Sequence, residues 1–330
     1  MKRAADIVAA VVLAIALAVM AHTARGLPDR WPWIWVAWAA AIPFLLLLAP
    51  GVQAGVRALV AWRPSAALLV PALWTAAGIA AALLSGAVGG FRLALWPVYT
   101  AIAIMLVATD RAAEPSGWRL LGAALALGLG AGAWDRAFKI PVPGNTPIGL
   151  TFFLAVALGL FLYTGVRPLR TLDVGLGFRR SDLAAAALAF AAVVAVALPL
   201  GFAANFVVFN PRLTGWGFAG ARLLGLVIFV GIPEEMLFRG LVQEGIGRLT
   251  TPRTGWLVGS LVFGVAHLFK KTGLTVPQQH ELFGLNWRYA ALATIAGLGY
   301  GWVYRRTGKV SAAALTHGAV DWLWSSVFGR

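Results

Sequence analysis

The sequence predicts an all-α fold, a polytopic transmembrane helix bundle of about eleven helices. Three observations lead there. Hydrophobic residues make up 60% of the 330-residue chain and charged residues only 12%, with a mean hydropathy of +0.82; a soluble domain carries about a quarter charged residues. Apolar stretches of about 20 residues, the length that spans a bilayer, recur to the end of the chain. The Lys and Arg residues behind the net charge of +15 sit mainly in short connections between those stretches. That pattern fits topology signals and contact with anionic lipid headgroups, so membrane lipid is an expected partner.

Spans are expected at 4–22, 31–50, 66–86, 91–108, 118–134, 148–165, 183–203, 218–248, 254–270, 288–306 and 309–328. The opening MKRAADIVAAVVLAIALAVMAHTARG has the basic start of a secretory signal, and AVMAHTA offers small residues near a cleavage point. The length of the run and the spans that follow favour an uncleaved first helix. Lys and Arg counted in alternate connections favour a cytoplasmic N-terminus, with the cluster Arg167, Arg170, Arg179 and Arg180 inside. The expected location is the plasma membrane, crossed many times.

That cluster lies in RPLRTLDVGLGFRRSD, the most polar long connection. It separates a block at 1–170, about six helices with no function legible in them, from a basic linker at 171–182 and a second block at 183–330. Trp31, Trp33, Trp35 and Trp38 of the first block read as an interfacial aromatic belt. In the second, GLGYG gives Gly297 and Gly301 the spacing for close helix packing.

Several function classes drop out. With no cysteine there are no disulfides, thiolate metal sites or cysteine nucleophiles. No basic helix or exposed aromatic platform stands outside the apolar segments, so nucleic acid is not an expected partner. QQHELFG begins like a zincin motif, but HELFG lacks the second histidine of HExxH, so His280 reads as solvated. His22 has no visible partner.

Charged groups at the centre of a membrane helix cost roughly 2.5–3.5 kcal/mol each. The second block incurs that cost repeatedly and the first does not, so chemistry is expected within 218–330. In GIPEEMLFRG, Glu235 and Arg239 are at i,i+4 and share a helix face, whereas Glu234 lies about 140° from Arg239. Glu235 is thus the ion-pair partner, and Glu234, lacking a local counter-charge, is a candidate general base. Pro233 loosens the turn before it. In LVFGVAHLFKK, His267 lies as far beyond the turn near Thr250 and Thr251 as Glu234 lies before it, so the two meet at one depth of an antiparallel hairpin. Phe263 shares the face of His267, and Gly264 admits a close neighbour. In THGAVDWLW, His317 and Asp321 at i,i+4 project together.

Singly, each of these reads as structural: a buried ion pair, a core histidine, a helix-end aspartate. Their joint occurrence on three segments of a chain with four histidines points instead to water activation, with a base, an orienting group and oxyanion donors.

EEMLFRG, FGVAH and HGAVD together resemble the EExxxR, FxxxH and HxxxN/D motifs of the CPBP intramembrane protease family, the CAAX prenyl endopeptidase and bacteriocin-processing (Abi) group. The resemblance covers about 180–330. It implies an intramembrane endopeptidase acting on a membrane-associated peptide or protein. Glu234 would activate water, assisted by His267, while His317 and Asp321 would stabilise the oxyanion or hold the water. Arg239 with Glu235 would support the first glutamate. Both metallo- and metal-free mechanisms are described for the family, so a Zn2+ ion held by Glu234, His267 and His317 is one expectation. Asp321 stands where Asn is commoner, and an ionised Asp cannot donate to an oxyanion. The competing readings are a proton- or ion-coupled transporter using the same groups, and a non-catalytic member of the family.

Overall fold

The computed structural model describes residues 42–84, 90–109, 114–132, 139–140, 148–211, 216–270 and 285–328. It divides into two compact units, Met1–Gly177 and Phe178–Arg330, and the division falls inside the basic stretch 171–182. The expected span at 4–22, most of that at 31–50, His22 and His280 lie outside the described residues.

In the first unit, α1 (Pro50–Trp62) occupies a stretch expected to be a connection. Proline at its start suits a helix, since the first-turn N–H groups have no intrahelical partner. It meets α2 (Ala66–Leu84) at a bend of 117°. α3 (Gly90–Ala108), α4 (Gly117–Gly132) and α5 (Leu150–Leu160) follow, with a two-residue antiparallel ribbon, β1 (Lys139–Ile140) and β2 (Ile148–Gly149), before α5. α5 continues into a π-helical turn, Phe161–Val166, where Arg57 Nη1 donates to the Thr164 carbonyl at 2.8 Å.

The second unit begins with α6 (Arg180–Ala203), capped where the Arg179 N–H donates to Asp182 Oδ2 at 2.9 Å. The long segment α7 (216–249) alternates α-turns with two π-helical turns, Val227–Gly231 and Met236–Gln243. α8 (Pro252–Val265) is capped by Thr251, whose hydroxyl accepts the Thr254 N–H at 3.1 Å. α9 (Trp287–Thr307) is capped by Asn286 and closed by Gly308 at φ 70°, the left-handed conformation that glycine adopts without strain. α10 (Val310–Val327) ends the unit.

α9 packs on α8, α6 and α10, and α10 packs on the first π-turn of α7. Close approach explains several small residues. A Cβ on Gly231 would lie 2.6 Å from the Ala314 carbonyl oxygen of α10, and one on Gly264 would lie 2.6 Å from that of Ala290 on α9. One on Gly301 would lie 2.6 Å from the Trp256 ring, so GLGYG marks the α8–α9 contact as its spacing implied.

Among the described residues one helix, α6, is long and apolar enough to cross a membrane, with a mean hydropathy of 2.5 over its best window. The α1–α2 pair qualifies only as a single broken span, and Leu95–Ala108, Gly117–Ala131 and Phe152–Val166 are shorter apolar helices. Within the second unit, three of the expected spans depart from a continuous apolar helix. α7 is broken by π-turns, α8 stops after 14 residues instead of running to 270, and α9 carries three arginines at its ends.

Candidate active site

The two π-turns of α7 flank a single α-turn, Ile232–Glu235. Pro233 has no N–H to give the helix, and the Ile232 N–H before it reaches back to the Val227 carbonyl, a five-residue step. Such widened turns recur at functional sites because they re-aim side chains without ending the helix. The α-turn between them carries two adjacent carboxylates that point in different directions, as the roughly 100° step of an α-helix requires.

Glu235 turns inward and is fully buried. Its Oε2 accepts from Arg239 Nε at 2.7 Å, the ion pair that the i,i+4 spacing implied, and the guanidinium lies 5.2 Å from the Phe263 ring centroid. Its Oε1 does something the sequence reading missed: it accepts from His317 Nδ1 of α10 at 2.8 Å. A carboxylate oxygen only accepts, so the hydrogen sits on Nδ1 and the ring orientation is fixed. The same ring stacks on Tyr300 of α9, with centroids 4.6 Å apart and planes at 13°.

His317 Nε2 then faces two carboxylates, Asp321 Oδ2 at 3.5 Å and Glu234 Oε2 at 4.0 Å. Glu234 Oε2 is buried and has no hydrogen-bond partner among the described residues. The other oxygen, Oε1, lies 3.5 Å from Lys270 Nζ.

His267 is buried, in the turn that follows α8. Its Nδ1 donates to the Phe263 carbonyl at 2.8 Å, and its ring lies 4.6 Å from that of Phe263, the wall that the spacing implied. Tyr289 of α9 meets the ring edge-on at 4.8 Å. With Nδ1 carrying the hydrogen, Nε2 is a bare acceptor, and it faces Lys270 Nζ at 3.1 Å.

α7, the turn after α8, and α10 thus bring Glu234, Glu235, Arg239, His267, His317 and Asp321 into one neighbourhood. A cavity of about 110 Å³ opens beside it, lined by His267, His317 and Asp321 and otherwise by apolar and aromatic side chains such as Phe206, Leu292 and Trp324. Glu234 is not part of that lining; it approaches the histidines from the Lys270 side. Lys270, Tyr289 and Tyr300 were not singled out from the sequence. The one signal for Lys270 was its position, three residues after His267.

The expected zinc ligands do not fit an ion in this arrangement. Among the described residues no group of three His, Asp or Glu side chains is placed to hold one. Glu234 and His267 share the Lys270 ammonium instead. An ion bound there would have to displace the ammonium, since a metal cation and the lysine compete for the same two acceptors.

A buried ion pair that orients an imidazole, beside a second carboxylate oxygen with no partner among the described residues, is an arrangement that can take up and release a proton. Residues 216–323 match the model of the Rce1-like family, described as type II CAAX prenyl endopeptidase Rce1-like, and this stretch contains all three motifs. Residues 216–323 of the second unit are therefore similar to this family of CAAX-type proteases, as the three motifs implied. No curated protein and no solved structure matches the chain.

Proposed function

We propose that the second unit is an intramembrane endopeptidase that activates water with Glu234 to hydrolyse a peptide bond of a membrane-associated peptide or protein. In this reading the chain crosses the plasma membrane many times with its N-terminus in the cytoplasm. The observation that carries the proposal is Glu234 Oε2, a buried carboxylate oxygen without a hydrogen-bond partner among the described residues, 4.0 Å from His317 Nε2. Leaving a buried acceptor unpaired costs about 1–3 kcal/mol, a cost that proton transfer by this oxygen would account for.

Glu234 Oε2 takes a proton from water as the water oxygen attacks the scissile carbonyl carbon. The carbonyl becomes a tetrahedral oxyanion, stabilised by a hydrogen donor at the His317 edge. Collapse breaks the C–N bond, and the proton held by Glu234 passes to the leaving amine. Glu235 and Arg239 support this chemistry indirectly, by holding His317. His267, whose Nε2 already accepts from Lys270, orients the carboxylate side of the site and takes no proton itself. Asp321 lines the cavity and holds the water or the oxyanion through His317.

Comparative proteomics of membranes from cells carrying the native chain and Glu234→Gln tests the reading. A peptide or protein that stays unprocessed only in the variant supports it. Identical peptide sets, with the variant folded at native level, overturn it.

A further inference from the structure

We infer that the ammonium of Lys270 is the resident cation of this site, a positioning residue that fixes the carboxylate of Glu234 and the ring of His267. The inference builds on the proteolytic reading but stands on separate contacts. Lys270 Nζ lies 3.1 Å from His267 Nε2 and 3.5 Å from Glu234 Oε1. An ammonium carries three donors and no acceptor. His267 Nε2 is a bare lone pair, because Nδ1 has its hydrogen on the Phe263 carbonyl, and Glu234 Oε1 is an acceptor. Donor and acceptors match.

The lysine backbone is held from both sides. Its N–H donates to the His267 carbonyl at 3.1 Å, and its own carbonyl accepts from Asn286 Nδ2 at 3.1 Å. The Asn286 N–H in turn donates to the Leu268 carbonyl at 2.7 Å, while its side-chain oxygen caps α9. Asn286 thus ties the end of the α8 turn to the start of α9 and places Lys270 at the site. The consequence is a division of labour within one carboxylate: Oε1 is held by the lysine, and Oε2 is left as the basic oxygen. The same contact explains why the expected ligand set does not close on an ion.

The Lys270 side chain is 48% exposed. Exposed ion pairs contribute little to stability, so its variants are expected to fold, and a purely structural role predicts no change at His267. The full chain, purified with isotope-labelled histidine, gives four ring signals to assign. In Lys270→Met the Nε2 resonance of His267 should move to that of an unbonded lone pair while His317 stays in place; Lys270→Arg should keep most of the native shift. An unchanged His267 signal in Lys270→Met overturns the proposal whatever the protein cleaves. In cells, Lys270→Met should slow processing of the peptide that accumulates in Glu234→Gln, by up to about a hundredfold, the scale on which misplacing a reacting group by about 1 Å acts. Lys270→Arg should recover part of the rate. If Glu234→Gln accumulates nothing, the proteolytic reading fails and the histidine signal alone decides Lys270. If Glu234→Gln accumulates a peptide that Lys270→Met clears at the native rate, the positioning role is overturned.

Discussion

Glu235 and His317, 82 positions apart, are joined by a 2.8 Å hydrogen bond from Nδ1 to Oε1. The other oxygen of the same carboxylate takes the Arg239 guanidinium at 2.7 Å. One buried group therefore ties α7 to α10 and sets which edge of the imidazole reaches Glu234. Glu235→Gln offers an amide in place of one acceptor oxygen and weakens both contacts. Activity should fall even in the fraction that folds, measured as processing per folded molecule. Native specific activity would remove Glu235 from the orienting role.

Arg239→Ala leaves Glu235 as a buried charge without its guanidinium. Breaking a fully buried pair in this way costs roughly 3–5 kcal/mol, so thermal unfolding and the yield of monodisperse protein should both drop. Glu234→Gln removes a carboxylate whose salt-bridge partners among the described residues are a half-exposed lysine at 3.5 Å and His317 at 4.0 Å, and its yield should match the native chain. Equal loss in both variants would make Glu234 a structural residue.

Gly231→Ala tests how α10 is seated. The new Cβ would lie 2.6 Å from the Ala314 carbonyl, a backbone atom that cannot swing away. Overpacking of this kind costs about 1–3 kcal/mol, and it pushes α10 from α7 and so His317 from Glu235. Gly225→Ala, in the same helix with nothing within 4 Å, should fold and process as the native chain does. The pair is compared by unfolding temperature and by processing.

Asp321→Asn should preserve or raise activity. Asp321 Oδ2 lies 3.5 Å from His317 Nε2, too far for a strong bond, and the side chain is partly open to the cavity. Asparagine supplies an N–H donor toward an oxyanion without needing a proton. Loss of activity in a folded Asp321→Asn protein would show that the negative charge is required.

Chelator should leave processing unchanged, and added zinc should not raise it, because Lys270 lies between two of the three ligands a zinc ion would use. Elemental analysis of the purified chain should find no ion bound in stoichiometric amount. One zinc per chain, lost in His267→Ala, would contradict this.

Much of the site was legible because helical spacing is a local property. The i,i+4 pairing of Glu235 with Arg239, the Phe263 wall beside His267 and the projection of His317 with Asp321 follow from residue number alone. The partnership of Glu235 with His317 was not legible: it depends on how α10 packs on the π-turns of α7, and the strict 3.6-residue period gives no hint of a π-turn. Lys270 was read as the tail of a span because the apolar run continues to Phe269, whereas α8 ends at Val265 and turns its last residues into the site. In the first unit, α1 was missed because Arg57 and Gln53 break its apolar pattern, and both side chains are satisfied by backbone carbonyls, Thr164 and Leu47.

The central claim, that Glu234 activates a hydrolytic water, is tested most directly by where the oxygen of that water goes. Membranes carrying the native chain, incubated in heavy-oxygen water, should gain at least one peptide with a heavy oxygen in its new C-terminal carboxylate. Membranes carrying Glu234→Gln at the same folded level should lack that peptide and retain its uncut precursor. Identical sets of labelled peptides from the two membranes would contradict the account.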